Sequence, residues 1–118
     1  MNELRIFSII ITIILAVIIF YVSSLSMPPS QETGIDLSIP YHILIFFYFS
    51  FFLFIASSSS KPKLKYFILT LIIALLYAAS DEFHQLFVLN RTCSFSDFLI
   101  DSLGILASSL LFLKRKKK

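Results

Sequence analysis

Hydrophobic and polar positions along the 118-residue chain alternate in blocks: four long apolar runs, at roughly 6–22, 39–56, 64–79 and 95–113, are separated by short polar breaks. Crossing about 30 Å of hydrocarbon takes about 20 residues at about 1.5 Å each, so every run is a candidate transmembrane helix. The third and fourth runs reach that length only if their helices carry acidic side chains at one end. This predicts helices over 6–24, 39–57, 64–85 and 95–113 and puts Asp81, Asp97 and Asp101 on helices rather than in a solvated loop. Pro28-Pro29 closes the first helix, Ser38-x-Pro40 reads as the cap and first turn of the second, and Lys61-Pro62 breaks the chain before the third. Thr92 or Ser94 would cap the fourth, with Asp97 in its first turn at the positive end of the helix dipole. The expected fold class is all-α: a single domain over 1–118, an integral membrane bundle of four helices.

Composition narrows the class further. Hydrophobic residues make up 58% of the chain and charged residues 14%, with a mean hydropathy of +0.90, too little polar surface to coat a soluble domain of this size. Any core must be helix against helix within a bilayer. The 14 phenylalanines, including Phe46, Phe47, Phe49, Phe51, Phe52 and Phe54, read as lipid-facing or packing groups. The first apolar run, about 17 residues, exceeds the roughly 7–15 of a signal-peptide core, so Ser24-x-Ser26 is not read as a cleavage site. Cys93 is the sole cysteine, which excludes an intrachain disulfide and a cysteine-based metal site.

The basic residues orient the bundle. Arg5, the trio Lys61, Lys63 and Lys65, and the run Lys114-Arg115-Lys116-Lys117-Lys118 supply nine of the ten basic residues, all at ends that fall on one side of a four-pass chain. Glu32, Asp36, Asp81, Glu82, Asp97, Asp101 and Arg91 fall on the other. The positive-inside tendency then makes both termini cytoplasmic and the polar cluster extracytoplasmic, in a multi-pass protein of the cell membrane. The terminal basic run reads as a topology determinant and a binder of anionic headgroups, not of nucleic acid.

Four of the seven acidic residues, one of the two histidines and an isolated arginine fall within the 21 residues from Asp81 to Asp101. Charge beside lipid-adapted sequence is costly, so such a cluster marks a functional site. Helical steps of three and four put Tyr77, Asp81, His84, Gln85 and Val88 on one face of the third helix, and Asp97, Asp101, Gly104 and Ser108 on one face of the fourth. Small Gly104 and Ser108 are expected to pack against the third helix and draw Asp97 and Asp101 towards Asp81 and His84. Arg91, beside the turn-forming Asn90, serves either as a clamp for the carboxylates or as the receptor of an anionic ligand group. His42 lies one turn into the second helix on the same side of the membrane. It reads either as an interfacial hydrogen-bonding group or as part of the cluster.

The composite motif Asp81-Glu82-x-His84-Gln85, then Arg91, then Asp97-x-x-x-Asp101-x-x-Gly104 resembles the signature of the VanZ-like family of small multi-pass membrane proteins, named for a member associated with resistance to the glycopeptide teicoplanin. The resemblance runs over about residues 5–113, and the region of His42 is similar to the family's earlier His-containing helix start. Where family members commonly show Pro-Gly before the arginine this chain has Leu89-Asn90, and where they show a second glycine it has Ser108. The resemblance implies an envelope-related role and a partner such as a lipid-linked or glycopeptide molecule.

The leading reading is a site that binds or modulates an anionic or amphipathic envelope component, with Arg91, Gln85, Asp97 and His42 as ligand-binding candidates. The alternative is a membrane-embedded enzyme whose catalytic candidates are His84, Asp81, Glu82 and Asp101, working by general acid-base chemistry or around a divalent metal that the residues do not name. Metal analysis of purified protein and of a His84→Ala variant separates these. A proton path is disfavoured because the ionisable stripe stops near Asp101. A purely structural polar cluster is the remaining reading, and four short helices are also compatible with self-association.

Overall fold

The computed structural model describes residues 3–25, 38–57, 63–88 and 95–116. They form four helices, α1 (Glu3–Ser24), α2 (Ser38–Ser57), α3 (Leu64–Gln85) and α4 (Phe95–Lys116), and no strand occurs among the described residues. Each is long and apolar enough to cross a membrane. Pro28-Pro29, Lys61-Pro62, the Asn90-Arg91 turn, the Thr92 or Ser94 cap and Cys93 lie outside the described residues.

Burial is inverted relative to a water-soluble bundle. Large apolar side chains such as Ile10, Ile13, Val17, Ile72, Leu76, Leu103 and Leu110 are exposed, whereas Ser8, Thr12, Ser50, Thr70, Ser108 and Ser109 are buried. Lipid tails are as apolar as leucine, so burying leucine between helices gains little, while small polar residues let backbones approach and bond across the interface. This is the packing logic of a bilayer-embedded bundle.

Helix α2 is the hub and packs on the other three. Its broadest interface is with α4, and Gly104 explains why: a Cβ there would overlap the Ile43 carbonyl oxygen and lie 3.1 Å from the Phe47 nitrogen. One helical turn further along α4, the hydroxyl of Ser108 meets that of Ser50. The small face of α4 therefore receives α2, not α3 as its spacing suggested. Helical periodicity identifies a face without identifying the neighbour, and here the neighbour is the helix whose backbone from Ile43 to Phe47 lies against Gly104.

Aromatic rings fill the rest of the core. Phe46 and Phe49 lie with Ile19, Ala74, Ala78 and Ile105, and Phe54, Phe67 and Phe112 form a cluster of three near-parallel rings. Phe47, Phe51 and Phe52 are half-buried, with Phe7 of α1 edge-on to Phe52. At the Arg5 end of the bundle, Arg5 Nε donates to the Ala56 carbonyl at 2.8 Å, joining the start of α1 to the end of α2. Between α1 and α3, the Tyr77 hydroxyl donates to the Ala16 carbonyl at 2.5 Å. Up-and-down threading thereby places the end of α1, the start of α2, the end of α3 and the start of α4 at one end of the bundle.

Candidate functional site

At that common end, ionisable side chains from three helices converge. Asp81 and Glu82 come from the last turn and a half of α3, Asp101 from the second turn of α4 and His42 from the second turn of α2. All four are buried, and each offers a nitrogen or oxygen atom within 4.8 Å of those of the other three. Among the described residues, no other ionisable side chain is buried.

The centre is built by helix geometry. A tight approach of α2 to Gly104 carries Asp101, one turn before it on α4, against the start of α2. His42 lies there, and its Nδ1 is 2.7 Å from Asp101 Oδ1. With an ionised carboxylate as partner, Nδ1 is the donor and Nε2 keeps its lone pair. Asp101 has 0% exposed surface and its second oxygen, Oδ2, has no hydrogen-bond partner among the described residues. Desolvating a carboxylate oxygen without a bond is expensive, so this atom is where a ligand group would be most stabilising. Tyr41 sits edge-on to His42, with ring centroids 5.4 Å apart.

Beside His42 lies a cavity of about 10 Å³, lined by Ile19, Ser23, Tyr41, His42, Asp81 and Gln85, among others. That is room for about one water or one monatomic ion, far below a drug-sized pocket of about 300 Å³ or more. Ser23, on the α1 wall of this cavity, has a buried Oγ that also lacks a partner among the described residues.

His84 does not join the centre. It turns towards α1, stacks on Phe20 at a centroid distance of 4.6 Å and bonds through Nε2 to Ser24 Oγ at 2.8 Å. The Ser24 hydroxyl also donates to the Phe20 carbonyl at 2.8 Å, so with its one proton used there it accepts from His84 Nε2. That direction is opposite to a base drawing a proton from a serine nucleophile. The pair fastens the ends of α1 and α3.

Of the residues singled out by sequence, His42, Asp81, Glu82 and Asp101 are thus brought together, with Gln85 buried beside the same cavity. Asp97 is half-buried in the first turn of α4 and is not one of the four converging groups. Arg91 lies outside the described residues. Glu82 was off the stripe drawn for α3 yet is 3% exposed, because α2 and α4 flank α3 on adjacent sides and the buried arc of its last turn is wider than one stripe. Ser24 enters the sequence reading only through Ser24-x-Ser26, as small residues after a hydrophobic run, and no sequence signal marks Ser23.

A family model described as VanZ/LLP1 matches residues 7–115, nearly the whole chain. No curated protein and no solved structure matches it.

Proposed function

The chain belongs to the VanZ/LLP1 family of membrane proteins, and from that premise we propose that it binds the anionic head of an amphipathic cell-envelope component at the extracytoplasmic end of the bundle. The observation that carries this reading is the convergence, among the described residues, of every buried ionisable side chain at one end, opposite the end that holds Arg5, Lys63, Lys65, Lys114 and Arg115. Around that polar end, Phe83 is 62% exposed, Phe87 74% and Phe95 73%. Exposed rings at the depth of a polar centre suit a ligand with both an acyl or aromatic part and a charged head. In this reading Arg91 meets the anionic group with its planar fork, and Gln85, Asp97 and His42 supply or orient the remaining polar contacts.

The small volume beside His42 argues that the ligand lies over the centre and does not enter it. Thermal unfolding of the detergent-purified protein tests the proposal, with an isoprenoid phosphate, a phosphatidylcholine and teicoplanin as probes. A ligand at 100 times its Kd stabilises by about 2.7 kcal/mol, a readily measured shift. Protection by the isoprenoid phosphate or by teicoplanin, absent with phosphatidylcholine and lost in Arg91→Ala, is the expected result. Equal protection of wild type and Arg91→Ala would remove the assigned contact.

One observation favours a second reading, catalysis. His42 held by a buried carboxylate at 2.7 Å, with two more carboxylates nearby, has the parts of an oriented general base. On that reading His42, with Asp101 as its orienting partner, takes the base role, and Asp81 and Glu82 are the acid candidates. A hydrolytic activity that survives in a His42→Gln variant would eliminate it.

A further inference from the structure

Four buried ionisable groups share one space. Asp81, Glu82 and Asp101 come within 4.8 Å of one another and of an imidazole nitrogen, from three different helices. Packing alone does not require this, since alanine or serine fills the equivalent interfaces elsewhere in the bundle, as Ala74, Ala78 and Ser108 do.

Two further observations point to an occupant. Asp101, with no exposed surface, directs one oxygen to His42 and leaves Oδ2 without a hydrogen bond among the described residues. Ser23, whose Oγ also has no hydrogen-bond partner among the described residues, lines a cavity of about 10 Å³ that adjoins the centre at His42 and Asp81 and does not include Glu82 or Asp101. A cavity of that size takes a single small species.

We propose that His42, Asp81, Glu82 and Asp101 are the ligands of one divalent transition-metal ion, held between α2, α3 and α4. Donor atoms about 2.1–2.2 Å from an ion are at most about 4.4 Å from each other, so a largest separation of 4.8 Å closes on an ion with small side-chain rotations. The donor set selects the ion. Carboxylates suit Mn²⁺ and the imidazole suits Fe²⁺ and Zn²⁺, whereas Ca²⁺ takes 6–8 oxygens in a roomier shell. The ion would take the place of the proton between His42 Nδ1 and Asp101, whose second oxygen, Oδ2, has no hydrogen bond among the described residues and can complete the coordination. Binding then joins the carboxylates of α3 to the His42–Asp101 pair that already links α2 and α4. The inference goes beyond the envelope-ligand reading and does not depend on it.

The test uses the full chain in detergent, stripped with a chelator and supplied with no lipid. Mn²⁺ is titrated and followed by the loss of its free-ion paramagnetic resonance signal, and Zn²⁺ is counted after dialysis. The expected result is about one ion per chain, an affinity lowered by about tenfold or more in Asp101→Asn and Glu82→Gln, and an unchanged affinity in Asp97→Asn. X-ray absorption of the zinc-loaded wild type is expected to show a nitrogen and oxygen shell, and it needs no variant to fold. Absence of stoichiometric Mn²⁺ and Zn²⁺ binding, variants that bind as wild type does, or a shell containing sulfur from Cys93 would each overturn the proposal. Because Arg91→Ala with isoprenoid phosphate tests the envelope ligand without metal, either reading can fail while the other stands.

Discussion

A carboxylate with no exposed surface is only as stable as its partners make it, and Asp101 has one described partner, His42 Nδ1 at 2.7 Å. Removing the imidazole strands both oxygens, whereas exchanging Asp101 for asparagine keeps an acceptor for Nδ1–H in the same volume. We therefore expect His42→Ala to lower the unfolding free energy by about 1–3 kcal/mol and Asp101→Asn by less than half as much. Denaturant unfolding of the two variants in the same detergent reads this directly. The reverse order would mean that the bond contributes less than the negative charge on Asp101. His84 makes the opposite case: its ring rests on Phe20 and its Nε2 on Ser24, so its substitution should loosen the end of α1 and leave the four-group centre assembled.

The contact of α2 with α4 sets the position of the centre, and its tolerance is set by Gly104. In an exposed helix Gly→Ala is stabilising by about 1 kcal/mol through backbone entropy. Here the added methyl overlaps the Ile43 carbonyl, which belongs to another helix and cannot rotate aside. Gly104→Ala should accordingly be destabilising, by about 1–3 kcal/mol, and should move Asp101 away from His42. A stabilised Gly104→Ala protein in thermal unfolding would show that α2 and α4 stand further apart than described. Ser50 and Ser108 meet one turn away, but each also donates to a carbonyl of its own helix, Phe46 at 2.7 Å and Ile105 at 2.8 Å. Two protons cannot serve three bonds at once. Ser108→Ala should cost about 0.6 kcal/mol, near the mean for hydrogen bonds between membrane helices, and a loss above about 2 kcal/mol would mean that the hydroxyl pair, not close backbone approach, holds these helices together.

For the molecule as a whole, four apolar helices with inverted burial make a multi-pass membrane protein, and the distribution of basic residues makes the prediction about its orientation. Arg5, Lys63, Lys65, Lys114 and Arg115 lie at one end of the bundle and no described lysine or arginine lies at the other, so the end that holds Arg5 and Lys114 is expected in the cytoplasm. Cys93, the sole cysteine, falls in sequence between α3 and α4 and provides the probe. An impermeant maleimide should label it in intact cells, and a cysteine appended after Lys118 should react only after permeabilisation. The opposite pattern would turn the polar centre to the cytoplasm and remove an outer-leaflet ligand from consideration.

Sequence by itself determined the four helices, their lengths and the membrane class, because these depend on properties summed along each segment: apolar length, proline breaks and charge at the ends. The motif from Asp81 to Asp101 also marked where the polar chemistry lies, since charge next to lipid-adapted sequence is conspicuous without coordinates. Only the tertiary structure decided which groups meet. Periodicity assigned Gly104 and Ser108 to a face but could not say that α2 lies against it, and from that choice follows the pairing of Asp101 with His42, while the burial of Glu82 and the turning of His84 towards Ser24 follow from how α3 sits among the other three helices. The physical reason is that a helix face is a local property, whereas the partner it receives depends on how closely backbones from distant parts of the chain can approach.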